Sequence, residues 1–135
     1  MGTFYEKIIL SNAKDDVRVA CGLLDEPRTV TLEAIPDTGA WTLIINEEVR
    51  QQLGLKTVDK VESSMADGSL STHDLTEAVE IRWKNRRAVA EAVVMPMATD
   101  ILLGAIPLEA MDLSVDPVNK QLVGVHGDKP VYLAK

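Results

Sequence analysis

Seven short apolar or alternating stretches follow one another along the chain: "FYEKIIL" (4–10), "VRVACGLL" (17–24), "TVTLEAI" (29–35), "TEAVEIRW" (76–83), "AVAEAVVMPM" (88–97), "DLSVD" (112–116) and "KQLVGV" (120–125). Turn-forming residues such as Asp25-Glu26-Pro27, Asp67-Gly68 and Asp116-Pro117 separate them. Runs of that length can bury one side only as strands, and strands at this spacing predict a mostly antiparallel small barrel or sandwich. Two helical interruptions are expected. In "INEEVRQQLGL", Asn46 caps the first turn, Glu47 and Glu48 sit at its electropositive end, Val49 and Leu53 share a face, and Gly54 ends it. In "GAIPLEAMDL", Pro107 stands near the first helical position and there is room for a turn or two. The fold class read this way is all-β and closed-barrel-like, with one or two short helices. No linker or shift of composition divides the 135 residues, so a single domain over 1–135 is expected.

Charge and composition narrow the function. With 21 acidic and 14 basic side chains the formal charge is −7, a field that repels phosphate backbones, and the basic cluster Lys84–Arg87 falls at an expected hairpin turn. Nucleic acid is therefore not an expected partner. Five aromatic residues in all, with Trp41 and Trp83 far apart, offer no row of stacking platforms. No segment is apolar for long enough to span a bilayer, and "MGTFYEKIIL" has no basic region ahead of an apolar core. A cytoplasmic protein without a membrane partner is expected. Cys21 has no partner for a disulfide and, in "VACGLL", reads as a core thiol. With His73 and His126 it makes a poor basis for a metal site, so no metal and no cofactor are expected.

The stretch with chemistry in it is "AIPDTGAWTLIINEEV" (34–49), where Asp37, Thr38 and Gly39 follow an apolar strand. A carboxylate in a tight turn activates water when a second carboxylate is near enough to share one proton with it. One carboxyl stays protonated and polarises a carbonyl, while its ionised partner draws a proton from the attacking water. Gly39 lets backbone approach closely, and the Thr38 hydroxyl can tie two such loops together. The plain alternative is an Asx-type turn that joins strand 29–35 to the next element.

The surroundings of the tripeptide resemble a retropepsin-like (clan AA) aspartic protease of the non-viral, bacterial type. "TLEAIPDTGA" is similar to the family's strand leading into Asp-Thr-Gly-Ala, which implies a catalytic Asp37 supported by Thr38, Gly39 and Ala40. "DILLGAIPL" resembles the second signature, bulky apolar residues before a glycine and a short helix, matched by Ile101, Leu102, Leu103, Gly104 and Leu108. "SSMADGSLST" stands where the family has its flap, a hairpin over bound peptide, here Met65, Ala66, Asp67, Gly68 and Ser69. Viral members carry an acidic residue after Asp-Thr-Gly-Ala and an arginine after the second glycine; here Trp41 and Ala105 replace both. The resemblance implies a small closed-barrel-like acid protease fold and endopeptidase activity on a peptide or protein substrate. With one Asp-Thr-Gly per chain, it implies a symmetric homodimer in which two Asp37 carboxyls share the water, with strands from 1–10 and 119–135 at the interface. The rival function is a non-proteolytic peptide-binding or assembly module that keeps the protease fold.

The remaining candidates have simpler readings. A weak echo runs between the Asp37 region and "EAVVMPMATDILLGAIPLEAM", in which Asp100 reads as a surface carboxylate. His73 is expected on the outer arm of the flap hairpin and His126 near the last turn, neither beside a recognisable nucleophile. Met65, Met95 and Met97 could pack or line a groove.

Overall fold

The structure, a computed structural model, describes residues 3–64, 67–96 and 99–132. Its strands are β1 (Glu6–Asn12), β2 (Thr29–Pro36), β3 (Leu43–Asn46), β4 (Thr57–Ser64), β5 (Leu70–Thr76), β6 (Val79–Trp83), β7 (Arg86–Ala90), β8 (Ala92–Met95), β9 (Leu102–Leu103), β10 (Leu113–Asp116) and β11 (Gln121–Gly124). Three helices interrupt them: α1 (Asp15–Ala20), α2 (Glu47–Leu53) and α3 (Ala105–Ala110).

The closed, all-β architecture expected from the strand pattern is not what the chain adopts. Nine strands form one curled sheet in the order β4-β5-β8-β3-β9-β2-β1-β6-β7, and its outer strands, β4 and β7, do not pair with each other. The sheet is an open half-barrel, and with three helices the fold is mixed α/β. The reason is visible in β4, whose "TVDKVESS" is exposed along most of its length. A solvated, charged edge gains nothing by burial against β7 and resists pairing. β10 and β11 form a separate antiparallel pair.

Three local expectations also change. Residues 17–24 do not form a strand: 15–20 are α1, because Asp15 is fully buried and accepts hydrogen bonds from the Arg28 backbone N–H, Arg28 Nε and Nη2, and Arg18 Nη1, all at 2.9 Å. The apolar residues of that stretch look outward, Val17 and Leu23 among them, and Cys21 is exposed rather than a core thiol. The run 88–97 is cut at Glu91 into the end of β7 and β8. α2 forms as its capping pattern dictates: Asn46 Oδ1 accepts the Val49 N–H at 2.9 Å, Val49 and Leu53 are buried, and Gly54 closes the helix at φ +61°.

The main core lies inside the curl, with Ile8, Leu10, Leu43, Ile45, Ile81 and Leu103 among its buried members. β9 is the element that brings the two signatures together. It pairs parallel to β2 (Ile35 with Leu102, Pro36 with Leu103) and antiparallel to β3 (Ile44 with Leu102). The chain between β2 and β3 therefore arches over the end of β9.

Candidate active site

That arch, residues 37–42, is fixed almost wholly by backbone. The Asp37 N–H donates to Leu103 O at 3.0 Å, and the Ala40 N–H donates to Asp37 O at 3.1 Å. From the start of α3, the N–H groups of Ala105 and Ile106 donate to Ala40 O and Trp41 O at 2.8 and 3.0 Å. Asp37 Oδ1 accepts the Gly39 N–H at 2.8 Å, which holds the carboxylate as an Asx turn does. The Thr42 hydroxyl donates to Glu91 O at 2.8 Å and ties the far end of the arch to the β7–β8 junction.

Two glycines allow this packing. A Cβ on Gly104 would stand 2.1 Å from Thr42 O and 2.7 Å from Ala40 O, so the backbone of the second signature approaches the arch as only glycine permits. A Cβ on Gly39 would meet Asp37 Oδ1 at 3.0 Å. Pro36 and Leu103 are paired, so Asp37 and Gly104 leave the sheet side by side; Asp100 is exposed, ahead of β9. The Trp41 side chain stays half-exposed, and its residue is tied to α3 through the backbone alone.

Asp37 is half-buried and Thr38 exposed at the edge of a cavity of 810 Å³, walled by Phe4, Pro36, Leu108, Leu113 and Val115. A second apolar cluster, apart from the main core, joins the arch to the β4–β5 hairpin: Ile44, Leu75 and Val93 are buried, with Ala40, Val61, Met95 and Leu102 packed on them. The hairpin projects beyond this cluster. At its tip Asp67 Oδ1 accepts the Ser69 N–H at 2.9 Å and its Oγ–H at 2.6 Å, and Gly68 has φ +87°. Met65, Ala66 and Met97 lie outside the described residues. The serine bonds hold the Asp67 carboxyl below its ordinary range.

The remaining titratable candidates go elsewhere. His73, on β5, lines a separate groove of 440 Å³ with Glu47, Asp74 and Met95. His126 Nδ1 lies 2.7 Å from Asp112 Oδ1. Among the described residues, no group of three or more His, Cys, Asp or Glu side chains is arranged to hold a metal ion.

The model of one protein family, described as aspartyl protease, matches residues 19–105, which include Asp37-Thr38-Gly39, the β4–β5 hairpin and Gly104. The chain belongs to the aspartyl protease family. This is the retropepsin-like assignment that the two signatures imply. Among solved structures, the solution structure of the Simian foamy virus (mac) protease is similar at 19% identity and a TM-score of 0.45, over 58% of this chain and 81% of that one. No curated protein matches this family member. Among the described residues, none of its helices is long and apolar enough to cross a membrane.

Sequence reasoning about this aspartyl protease missed two threonines, Thr42 and Thr76, whose hydroxyls grip one peptide group from opposite sides. Each stands at a strand end, where a β-branched residue is ordinary, so no signal marked them.

Proposed function

We propose that the protein is an aspartic endopeptidase acting as a symmetric homodimer through one 1–135 domain per subunit, with Asp37 of each subunit forming the shared acid–base pair. One observation carries the reading: the Asp37 carboxylate, held by the Gly39 N–H on an arch whose main chain is bonded to β9 and α3, is presented half-exposed at the edge of a cavity. A fixed backbone donor holds a carboxyl in place before substrate arrives, which is the part of acid–base catalysis that a fold can supply. The hairpin, with Asp67, Gly68 and Ser69 at its tip, acts as the flap. The cluster of Ile44, Leu75, Val93 and Leu102 supports apolar pockets for alternate side chains of an extended peptide. Thr38 and Gly39 support the pair, Leu102, Leu103 and Gly104 set its floor, and no cofactor takes part.

In the reaction, one Asp37 carboxyl of the pair is protonated and donates to the scissile carbonyl. Its ionised counterpart takes a proton from the water that attacks the same carbon, and no covalent intermediate forms. Sedimentation equilibrium at micromolar protein should return about twice the 14.7 kDa chain mass. A diverse peptide library is then scanned from about pH 3 to 8 with wild type and Asp37→Asn at matched dimer concentration, where coupled carboxyls give an acid-shifted or bell-shaped rate. Cleavage by wild type alone is the expected result. A strictly monomeric species that cleaves peptide overturns the dimer mechanism. Binding of peptide without cleavage by either protein points to the module that only holds peptide.

A further inference from the structure

The peptide group between Glu91 and Ala92 separates β7 from β8 and is held by both threonines. Its carbonyl accepts the Thr42 hydroxyl at 2.8 Å, and its N–H donates to Thr76 Oγ1 at 3.3 Å. Thr76 Oγ1 donates onward to Glu77 O at 2.7 Å. Thr42 is 2% exposed, and Thr76 and Ala92 are fully buried. The donors run head to tail from Thr42 through the peptide to Thr76, the arrangement in which each bond polarises the next.

The two ends of this chain of bonds belong to different moving parts. Thr42 closes the Asp37 arch. Thr76 closes β5, and among the described residues β5 joins the rest of the sheet at one ladder pair, Leu75 with Val93, immediately beside Thr76 and Ala92. Any swing of the hairpin pivots there. Among the described residues, every other hydrogen bond of the arch runs within it or down to β9 and α3, so Thr42 is its hydrogen-bonded link toward the hairpin, beside the apolar packing of Ala40 on the Leu75 cluster. The link has little slack, because Thr42 O is pressed against Gly104.

We propose that the Thr42–peptide–Thr76 relay couples closure of the hairpin to the alignment of Asp37, which makes Thr42 and Thr76 positioning residues. The inference rests on the protease reading for its catalytic consequence. Closing over a peptide draws the pivot inward, the Glu91–Ala92 group moves with Thr76, and Thr42 carries that displacement to the arch. A site that reaches its geometry only when covered commits its substrate before attack.

Thr42→Val and Thr76→Val delete the hydroxyls at nearly constant shape, while Thr42→Ser and Thr76→Ser keep them. With Thr42→Val, kcat for peptide cleavage should fall about tenfold with KM changed by less than about twofold, as loss of an interaction that acts only at the chemical step requires. Thr42→Ser should restore most of it. The double valine variant should be about as slow as either single one rather than about a hundredfold slower, since both break one relay. Amide exchange at 70–77 should quicken at least about fivefold in Thr42→Val, although the substitution lies in the arch. Additive losses of rate, no rescue by serine, or unchanged exchange at 70–77 overturns the relay. If the wild type cleaves no peptide, the protease reading falls, and hairpin exchange in Thr42→Val and Thr42→Ser still decides the coupling.

Discussion

The arch at Asp37 and the hairpin of β4 and β5 are neighbours built on opposite plans. The arch is short and irregular, yet three backbone hydrogen bonds and one side-chain bond fix it against β9, α3 and the β7–β8 junction, and two more bonds brace it within. The hairpin is a long ladder, with pairs from Thr57–Thr76 to Ser64–Leu70, but its outer strand is mostly exposed and among the described residues it joins the sheet through one ladder pair, Leu75 with Val93. Its Lys60–Asp74 pair, at 2.8 Å, lies in solvent. Rigidity here follows from what the backbone is tied to rather than from regular secondary structure. The proposed acid–base centre needs the first plan and the proposed cover the second.

The largest effect should come from the centre of the rigid part. Asp37→Asn keeps an oxygen to accept the Gly39 N–H, so the fold and the proposed dimer should survive, while the proposed peptide hydrolysis falls by about 10²–10⁴-fold. Amide exchange at the hairpin should not change; faster exchange there would show that the carboxylate itself supports the cover and would blur the contrast. Next comes the packing beneath the arch. Gly104→Ala drives a methyl group into the carbonyls of Thr42 and Ala40 and should cost about 3 kcal/mol in denaturant unfolding. A loss well under about 1 kcal/mol would mean that the arch yields easily and is not the fixed element described here.

Acid should act on the body of the protein at a third place. The Arg28 guanidinium bonded to Asp15, aided by the Arg28 backbone N–H and by Arg18, lowers the Asp15 carboxyl to about 2 although burial works against it. A carboxyl depressed in the folded state adds stability above its unfolded pKa and loses it as pH falls through the folded value. Asp15 should therefore add about 2 kcal/mol above pH ~4, and that increment should fade between pH ~4 and ~2. Unfolding of Asp15→Asn should lack this part of the acid dependence. Asp74, which Lys60 holds below its ordinary range, should titrate with little effect on global unfolding because the pair is exposed.

The smallest effect belongs to the hairpin tip. Gly68 has φ +87° and open space around its α-carbon, so Gly68→Ala strains the turn by about 1 kcal/mol without a clash. If the hairpin opens independently, exchange over 60–74 should quicken about fivefold while global unfolding moves by less than about 0.5 kcal/mol. A full 1 kcal/mol loss in global unfolding would show the hairpin to be part of the cooperative body.

Local chemistry was legible wherever a residue's role depends on its near neighbours. Asn46 and Gly54 bound α2 because a cap and a left-handed terminus are set by side chains a few positions away. Asp37-Thr38-Gly39 carried the candidate site, and with the second signature it carried the family, because a carboxylate turn and a close-packed glycine have few substitutes. The pattern at 17–24 misled because its valines and leucines meet no core, and a buried carboxylate 13 residues away from Arg28 decided for helix instead. Closure of the sheet was equally out of reach, since it depends on whether β4 and β7, remote in sequence, have a reason to meet.

The sequence by itself determined which residues could carry acid–base chemistry, where turns such as Asp67-Gly68 and Lys84-Asn85 fall, and which family the chain belongs to. Tertiary structure alone decided that the sheet stays open, that α1 is a helix, and that Leu102 and Leu103 thread between the strands flanking Asp37. It also decided that Thr42 and Thr76 share one peptide group. The physical reason is range: caps and turns are fixed by atoms a few residues apart, whereas a hydroxyl reaching a carbonyl 49 positions away exists only once the intervening chain has folded.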